Sequence, residues 1–254
     1  MSAMQSLELE GKKALVTGGG TGVGAAIAQA LAHAGADVVI CGRRPEPLAK
    51  TAATHPRIGA AQADISDETS VVGLFQREGP FDIVVANAGS AASKPLSRLE
   101  LADWQSMLDV NLTGVFLTFR EGLRAMKGRP YGRLIAVAST AGLKGYRYVA
   151  HYCAAKHGVV GLTRALALET ARSGITVNAL CPGFIDTPLT DRSVQNIVAQ
   201  TGMDAEDARK ALAETNPMGR LITTEEVASM ALYLCSSSAR SVNGQALAIA
   251  GGEV

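Results

Sequence analysis

Aromatic residues make up only 4% of the chain, with a single tryptophan among them, and the formal charge is +1. Proteins that grip single-stranded nucleic acid need stacking rings in a basic groove, so neither half of that equipment is present. Cysteines are four, at 41, 153, 181 and 235, with no C-x-x-C and no histidine placed at ligand spacing. That argues against a disulfide framework and a metal site, and for reduced thiols in a cytoplasmic protein. No apolar run approaches the ~18 residues that a membrane helix needs. The first 13 residues lack a charged start followed by an apolar stretch, so no signal peptide is expected.

What the chain has in quantity is small and apolar. Of its 254 residues 47% are apolar and 27 are glycine. This length suits one α/β domain, spanning 1–254, with a core large enough to be stable unaided. Short apolar runs predict strands at 13–17, 37–41, 58–63, 82–86, 133–138, 175–180 and 246–250. Helical patterns fall between them, at 25–34, 45–54, 101–126, 152–172 and 225–235, and after Ser66, which is placed to cap a further helix. Strict alternation of strand and helix predicts a doubly wound parallel sheet of seven strands with helices on both faces. Residues 187–216 are polar with only a weak helical pattern.

The stretch from Ser139 to Lys156 carries the chemistry. Tyr152 and Lys156 are four apart and share one helix face. A phenol of pKa about 10 is a poor proton shuttle near neutrality. An ammonium roughly 4 Å away favours the phenolate by up to about 4 kcal/mol at an effective dielectric of about 20, enough to draw the phenol toward a useful range. Ser139, at a strand end, adds a hydroxyl for the same reacting oxygen. A Tyr-x-x-x-Lys pair alone is more often a packed ring beside a solvated charge, so the rest of the chain decides.

Gly18, Gly22 and Gly24 lie where the first strand gives way to a helix, with Thr21 and Val23 between them. Glycines permit a tight turn and close backbone approach, and a helix N-terminus offers free N–H groups to a pyrophosphate. The second strand ends in Arg43-Arg44. An acid there would suit the ribose hydroxyls of NAD, whereas paired guanidiniums suit a 2′-phosphate. Asp37 is acidic but begins the strand. NADP(H) is therefore favoured over NAD(H).

In order, Thr17-Gly18-x-x-x-Gly22-x-Gly24, Asp64, Asn87-Ala88-Gly89, Asn111, Ser139, Tyr152-x-x-x-Lys156 and Pro182-Gly183 resemble the short-chain dehydrogenase/reductase family over nearly the whole chain. The resemblance implies a Rossmann fold and hydride transfer to or from a carbonyl or secondary alcohol. It implies Asn111, Ser139, Tyr152 and Lys156 as the catalytic set. Tyr152 would exchange the proton, Ser139 would bind the substrate oxygen, Lys156 would also bind the nicotinamide ribose, and Asn111 would hold a water. Asp64 and Ile65 would contact adenine, and Asn87, Ala88 and Gly89 would support the ribose. Pro182, Gly183, Ile185 and Thr187 would line the nicotinamide side. Ala141, Leu143, Tyr146 and Val149 would wall the substrate pocket, and residues 187–216 would form a lid. No metal is implied.

The tail, with Asn216-Pro217-Met218-Gly219-Arg220, Gln245-Ala246-Leu247 and Gly251-Gly252, is similar to β-ketoacyl-thioester reductases. That implies reduction of a 3-oxoacyl thioester on acyl carrier protein or CoA, with Arg129 and Arg172 near the places where a carrier docks. Sugar, steroid or aryl-ketone substrates remain open, as does a nucleotide-binding protein without catalysis. The family also implies a homotetramer, although Ala250 stands where an acid often precedes the last glycines.

Overall fold

The computed structural model describes residues 8–254. The signal-peptide expectation rests largely on residues 1–7, which lie outside them. Among the described residues no helix is long and apolar enough to cross a membrane.

Seven strands, β1 (Lys13–Thr17), β2 (Asp37–Gly42), β3 (Ile58–Gln62), β4 (Ile83–Ala86), β5 (Gly132–Val137), β6 (Ile175–Pro182) and β7 (Ala246–Ile249), form one sheet in the order β3-β2-β1-β4-β5-β6-β7. Every pairing is parallel. The central strands read as unbroken apolar runs because both faces are covered. Successive side chains alternate between those faces. Ala14, Val16, Ile40, Ile83 and Ile135 pack with α1 (Gly22–His33) and α9 (Thr224–Cys235). Leu15, Val39, Val84, Leu134 and Val177 pack with α3 (Glu68–Glu78), α5 (Gly114–Met126) and α6 (Ala150–Thr170). Cys41, Cys181 and Cys235 are buried free thiols, and Cys153 is half-buried and free.

Strand order reverses between β1 and β4. Crossovers diverge there to opposite sides, which opens a crevice at the carboxyl ends of the strands.

Three expectations are corrected. The helix predicted over 101–126 is α4 (Leu101–Leu108) and α5, joined by a π-helical turn at Asp109–Thr113, where the Gly114 N–H donates to the Asp109 carbonyl. A Cβ at Gly114 would fall 1.9 Å from Ile65 Cδ1, so the chain passes too close to its neighbour for a side chain. Wide turns of this kind often mark functional positions, and Asn111 lies in this one.

Ser66 does not cap α3. Its hydroxyl donates to Asp64 Oδ1 at 2.6 Å, and Asp67 caps the helix through the Thr69 and Ser70 N–H groups. Residues 187–216 hold two helices, α7 (Pro188–Thr201) and α8 (Ala205–Ala213). Gly202, at φ 71°, ends the first, and Asp204 caps the second through the Glu206 N–H. They bury Val194, Ala208 and Leu212 in a small cluster of their own, with Phe184 and Ile197 packed against it, a stripe too narrow to dominate the sequence pattern.

Candidate active site

The crevice is a cleft of about 1030 Å³, lined by residues from the ends of β1, β2, β4, β5 and β6 together with α7. At its entry edge β1 turns through the glycine loop into α1. Gly18 has φ 65°, and a Cβ on it would lie 2.8 Å from Ala88 Cα. A Cβ on Gly24 would lie 2.3 Å from the Gly18 carbonyl oxygen. No side chain caps α1 and no acid stands in its first turn, so the N–H groups of Gly22, Val23 and Gly24 are free to meet an anion at the cleft wall. Such a cradle fits a dinucleotide pyrophosphate.

Asn87 braces this loop: its Nδ2 donates to the Thr17 carbonyl at 2.9 Å and the Gly18 carbonyl at 3.2 Å. The Thr17 hydroxyl accepts from the N–H groups of both Asn87 and Ala88, at 3.0 Å each. Sequence reasoning assigned Thr17 no role; only its place before the glycines hinted at one.

Arg43 and Arg44 are exposed at the end of β2 and line the cleft. Asp64 follows β3, its carboxyl held below the ordinary range first by the Ser66 hydroxyl and, more weakly, by Arg43. Asp64, Ile65, Asn87, Ala88, Gly89, Pro182, Gly183, Ile185 and Thr187 all line the same cleft. Thr187 begins α7 against the glycine loop, where a Cβ on Gly22 would lie 3.2 Å from its methyl group.

Deeper in, four side chains converge. Ser139 caps the short turn Thr140–Gly142, its oxygen accepting from the Ala141 N–H at 3.1 Å, which leaves the hydroxyl proton free. Tyr152 and Lys156 sit one turn apart near the start of α6. Lys156 is buried and donates to the Val137 carbonyl at 2.9 Å, with its Nζ 5.6 Å from the centre of the Tyr152 ring. Asn111 is fully buried; its amide donates to the carbonyls of Ser90 (3.0 Å) and Met107 (3.1 Å). Gly89 fits between the last two: a Cβ there would lie 2.8 Å from Asn111 Oδ1 and 3.7 Å from Lys156 Nζ.

The electrostatics differ from the sequence expectation. Burial pushes the Tyr152 phenol up to about 12, with a smaller opposing pull from the Ser139 hydroxyl. Burial also brings the Lys156 ammonium down to about 8. Lys156, turned toward the Val137 carbonyl, has no share in the phenol's shift, so burial sets its direction, opposite to the lowering expected from spacing.

Ala141, Tyr146 and Val149 line the cleft, but Leu143 does not. It follows the turn Thr140–Gly142 and packs against the core on the α6 side of the sheet. Arg129 is also committed elsewhere, paired with Asp82 at 2.9 Å, while Arg172 is exposed. Cleft residues that sequence reasoning missed include Ser93, Arg147, Tyr148 and Phe184, while Arg192 and Asn196 fall within the expected lid, 187–216. Only Tyr148 carried a local signal, the crowding of tyrosines before α6; it adopts φ 66°, uncommon for a side chain of its size.

A glycine cradle at the switch point of a parallel sheet, beside half-buried Ser139 and Tyr152 and buried Lys156 and Asn111, defines a nucleotide-dependent oxidoreductase. The family profile described as short chain dehydrogenase matches residues 12–198, and the chain belongs to that family. It is 40% identical to a putative ketoacyl reductase of the granaticin polyketide synthase of Streptomyces violaceoruber, covering 94% of this chain and 92% of that one. It is 38% identical to a D-beta-hydroxybutyrate dehydrogenase of Cupriavidus necator, over 97% and 99% of the two chains. Among solved structures, actinorhodin polyketide ketoreductase with NADPH superposes with a TM-score of 0.90 at 36% identity, over 100% of this chain and 99% of that one.

Proposed function

We propose that this oxidoreductase uses NADP(H) to reduce the ketone of a 3-oxoacyl thioester, carried on acyl carrier protein or CoA, to the 3-hydroxyacyl form. The observation that carries the reading is the convergence of Ser139, Tyr152, Lys156 and Asn111 on one cleft that also contains the glycine cradle. A bound nicotinamide supplies the hydride. Gly18, Gly22, Val23 and Gly24 hold its pyrophosphate, Arg43 and Arg44 the 2′-phosphate, and residues from Pro182 to Thr187 flank the ring.

The chain's own groups manage the proton. A phenol raised to about 12 stays protonated at neutral pH, which suits an acid that donates to a carbonyl oxygen as charge develops there. Ser139 keeps a free proton for the same oxygen and fixes its position. Once Tyr152 has donated, its phenolate, disfavoured by partial burial, draws a proton back from the direction of Lys156. Asn111, anchored to Ser90 and Met107, holds the π-helical turn beside that lysine. Helices α7 and α8 act as a lid, with Asn196 donating to the Ser93 hydroxyl across the cleft mouth.

A second reading is favoured by Arg147 and Arg192, both exposed on the cleft wall with no ion pair among the described residues. Two guanidiniums there suit the phosphate of a pantetheine arm, but they equally suit the carboxylate of a hydroxy acid. The test is a panel of acetoacetyl-CoA, acetoacetate and a simple ketone with NADPH and NADH, repeated with Arg43→Ala. The thioester reading expects acetoacetyl-CoA to be reduced best with NADPH. Losing a charged hydrogen-bonding partner of about 1.5–3 kcal/mol predicts an NADPH affinity weaker by roughly 10- to 100-fold in the variant. Faster turnover of acetoacetate selects the second reading, and an unchanged NADPH affinity removes the cofactor assignment.

A further inference from the structure

Tyr146 stands on the loop before α6 with its ring at the substrate end of the cleft. Its hydroxyl is fully engaged away from that space. It donates to Glu253 Oε1 and meets the Thr140 hydroxyl at 2.6 Å, which must then be the donor. Burial, followed by the bond to Glu253, pushes the phenol well above its ordinary value. Tyr146 therefore has no proton to offer a substrate, and what it presents is a ring.

Glu253 belongs to the C-terminal tail, far from this loop in sequence. Gly251 and Gly252, at φ 59° and 92°, turn the chain back after β7. A Cβ on Gly251 would lie 1.9 Å from Asn216 Oδ1, so this turn is built against the end of the α8 segment and admits only glycine. Beyond it the Glu253 side chain is 2% exposed. Lys144 Nζ lies 3.1 Å from its Oε1 and 3.1 Å from its backbone carbonyl. Its Oε2 is buried without a partner, 3.0 Å from where a Cβ on Gly183 would stand. The carboxylate is thus bonded to the loop after β5 and packed beside the end of β6, the two walls of the substrate end. Phe184, from the second wall, meets the Tyr146 ring edge-on at 6.4 Å. A buried carboxylate with one oxygen unsatisfied is costly to keep, and such an exception calls for an explanation.

We propose that Glu253 is a positioning residue for substrate: by tethering the Tyr146 hydroxyl, the tail fixes the aromatic wall that selects which carbonyl compound fits. The inference rests on the reductase reading, because it assigns the wall of that same site. Glu253 touches neither the four converging side chains nor the glycine cradle, and beside Gly183 its Oε2 makes no hydrogen bond, so its main effect is expected on substrate binding.

The test compares full-length wild type with Glu253→Ala, Glu253→Gln, Tyr146→Phe and the Glu253→Ala/Tyr146→Phe double variant. Each is assayed for NADPH-dependent reduction of acetoacetyl-CoA and a 3-oxooctanoyl thioester, and for NADPH affinity by fluorescence titration. Glu253→Ala is expected to raise KM for the better substrate about 10-fold, with kcat changed less than about 3-fold, the pattern of lost uniform binding. NADPH affinity is expected to stay constant. Glu253→Gln keeps an acceptor for the hydroxyl and is expected to restore most of the KM. In the Tyr146→Phe background the tether has no hydroxyl to hold, so Glu253→Ala is expected to add less than about 2-fold.

An active wild type whose Glu253→Ala effect is undiminished in that background overturns the inference alone, as does a loss shared equally by kcat and NADPH binding. If Glu253→Ala does not fold, Tyr146→Phe and Glu253→Gln decide: the first must raise KM and the second must not. A wild type that reduces no carbonyl compound with either nicotinamide overturns the reductase reading, and this inference with it.

Discussion

Lys156 shows how burial and chemistry meet in one side chain. Its ammonium is brought down to about 8 by desolvation and held by a single carbonyl. Below pH 8 it carries a proton to return to Tyr152, and as pH rises through 8 it loses that proton. The phenol at about 12 stays protonated throughout. The rate of ketone reduction is therefore predicted to be level below about pH 7 and to fall as pH passes 8. Lys156→Met is predicted to abolish that step and to lower the rate at pH 7 by about 10²-fold or more. A pH–rate profile of kcat/KM for both proteins checks it; a wild-type reduction rate that climbs through pH 8 contradicts the assignment.

The glycine loop, Asp64, Asn87 and Ser139 were legible because each stands at a strand end, Tyr152 and Lys156 through their spacing on one helix, and Asn111 through the family resemblance alone. Their electrostatics were not. Spacing along a helix places Lys156 beside Tyr152, but only the fold shows the ammonium turned to the Val137 carbonyl and the phenol pushed up by partial burial. Leu143 failed for a similar reason: the direction of a side chain after a three-residue turn is not written in its spacing.

At the scale of elements, the glycine loop and α1 are closely fitted. Gly24 accepts no side chain, since its Cβ would press on the Gly18 carbonyl and on Asn87 Nδ2, at 2.3 and 2.4 Å. Gly24→Ala is predicted to cost about 1–3 kcal/mol of stability through forced backbone movement, and to weaken NADPH binding as well. Thermal unfolding and fluorescence titration measure the two effects, and an unchanged melting temperature counts against the packing described. The strands could be read because both-sided burial makes them plain apolar runs. The π-helical turn and α7–α8 could not. The turn arises from a close approach to Ile65, and the two helices gain their burial mainly from each other and Phe184. Neither leaves a long-period trace in sequence.

For the whole molecule, a net charge of +1 provides little long-range repulsion between copies. Apolar side chains stand exposed on three helices: Leu101 (80%) on α4, Phe116 (43%) on α5 and Leu168 (81%) on α6. Isolated exposed apolar side chains need no explanation, but three on adjoining helices suit burial in an assembly. Light scattering is predicted to report a homotetramer, and Leu168→Arg to shift it to smaller species while each chain stays folded. A wild-type monomer at micromolar concentration contradicts this. Sequence reasoning reached the sheet and its winding because alternation of strand and helix is a chain-wide pattern. The tail's reach back to Tyr146 was invisible, since it depends on two glycine dihedral angles and a contact across the fold.

The central claim is that Tyr152 passes the proton while the glycine cradle binds the nucleotide independently. Its most direct test is single-turnover oxidation of bound NADPH by ketone substrate in Tyr152→Phe, with NADPH affinity measured on the same preparation. Removing a positioned general acid predicts a rate lower by about 10²- to 10⁴-fold, with affinity essentially that of the wild type. A Tyr152→Phe protein that retains most of the wild-type rate, or one that loses NADPH binding in proportion, contradicts it.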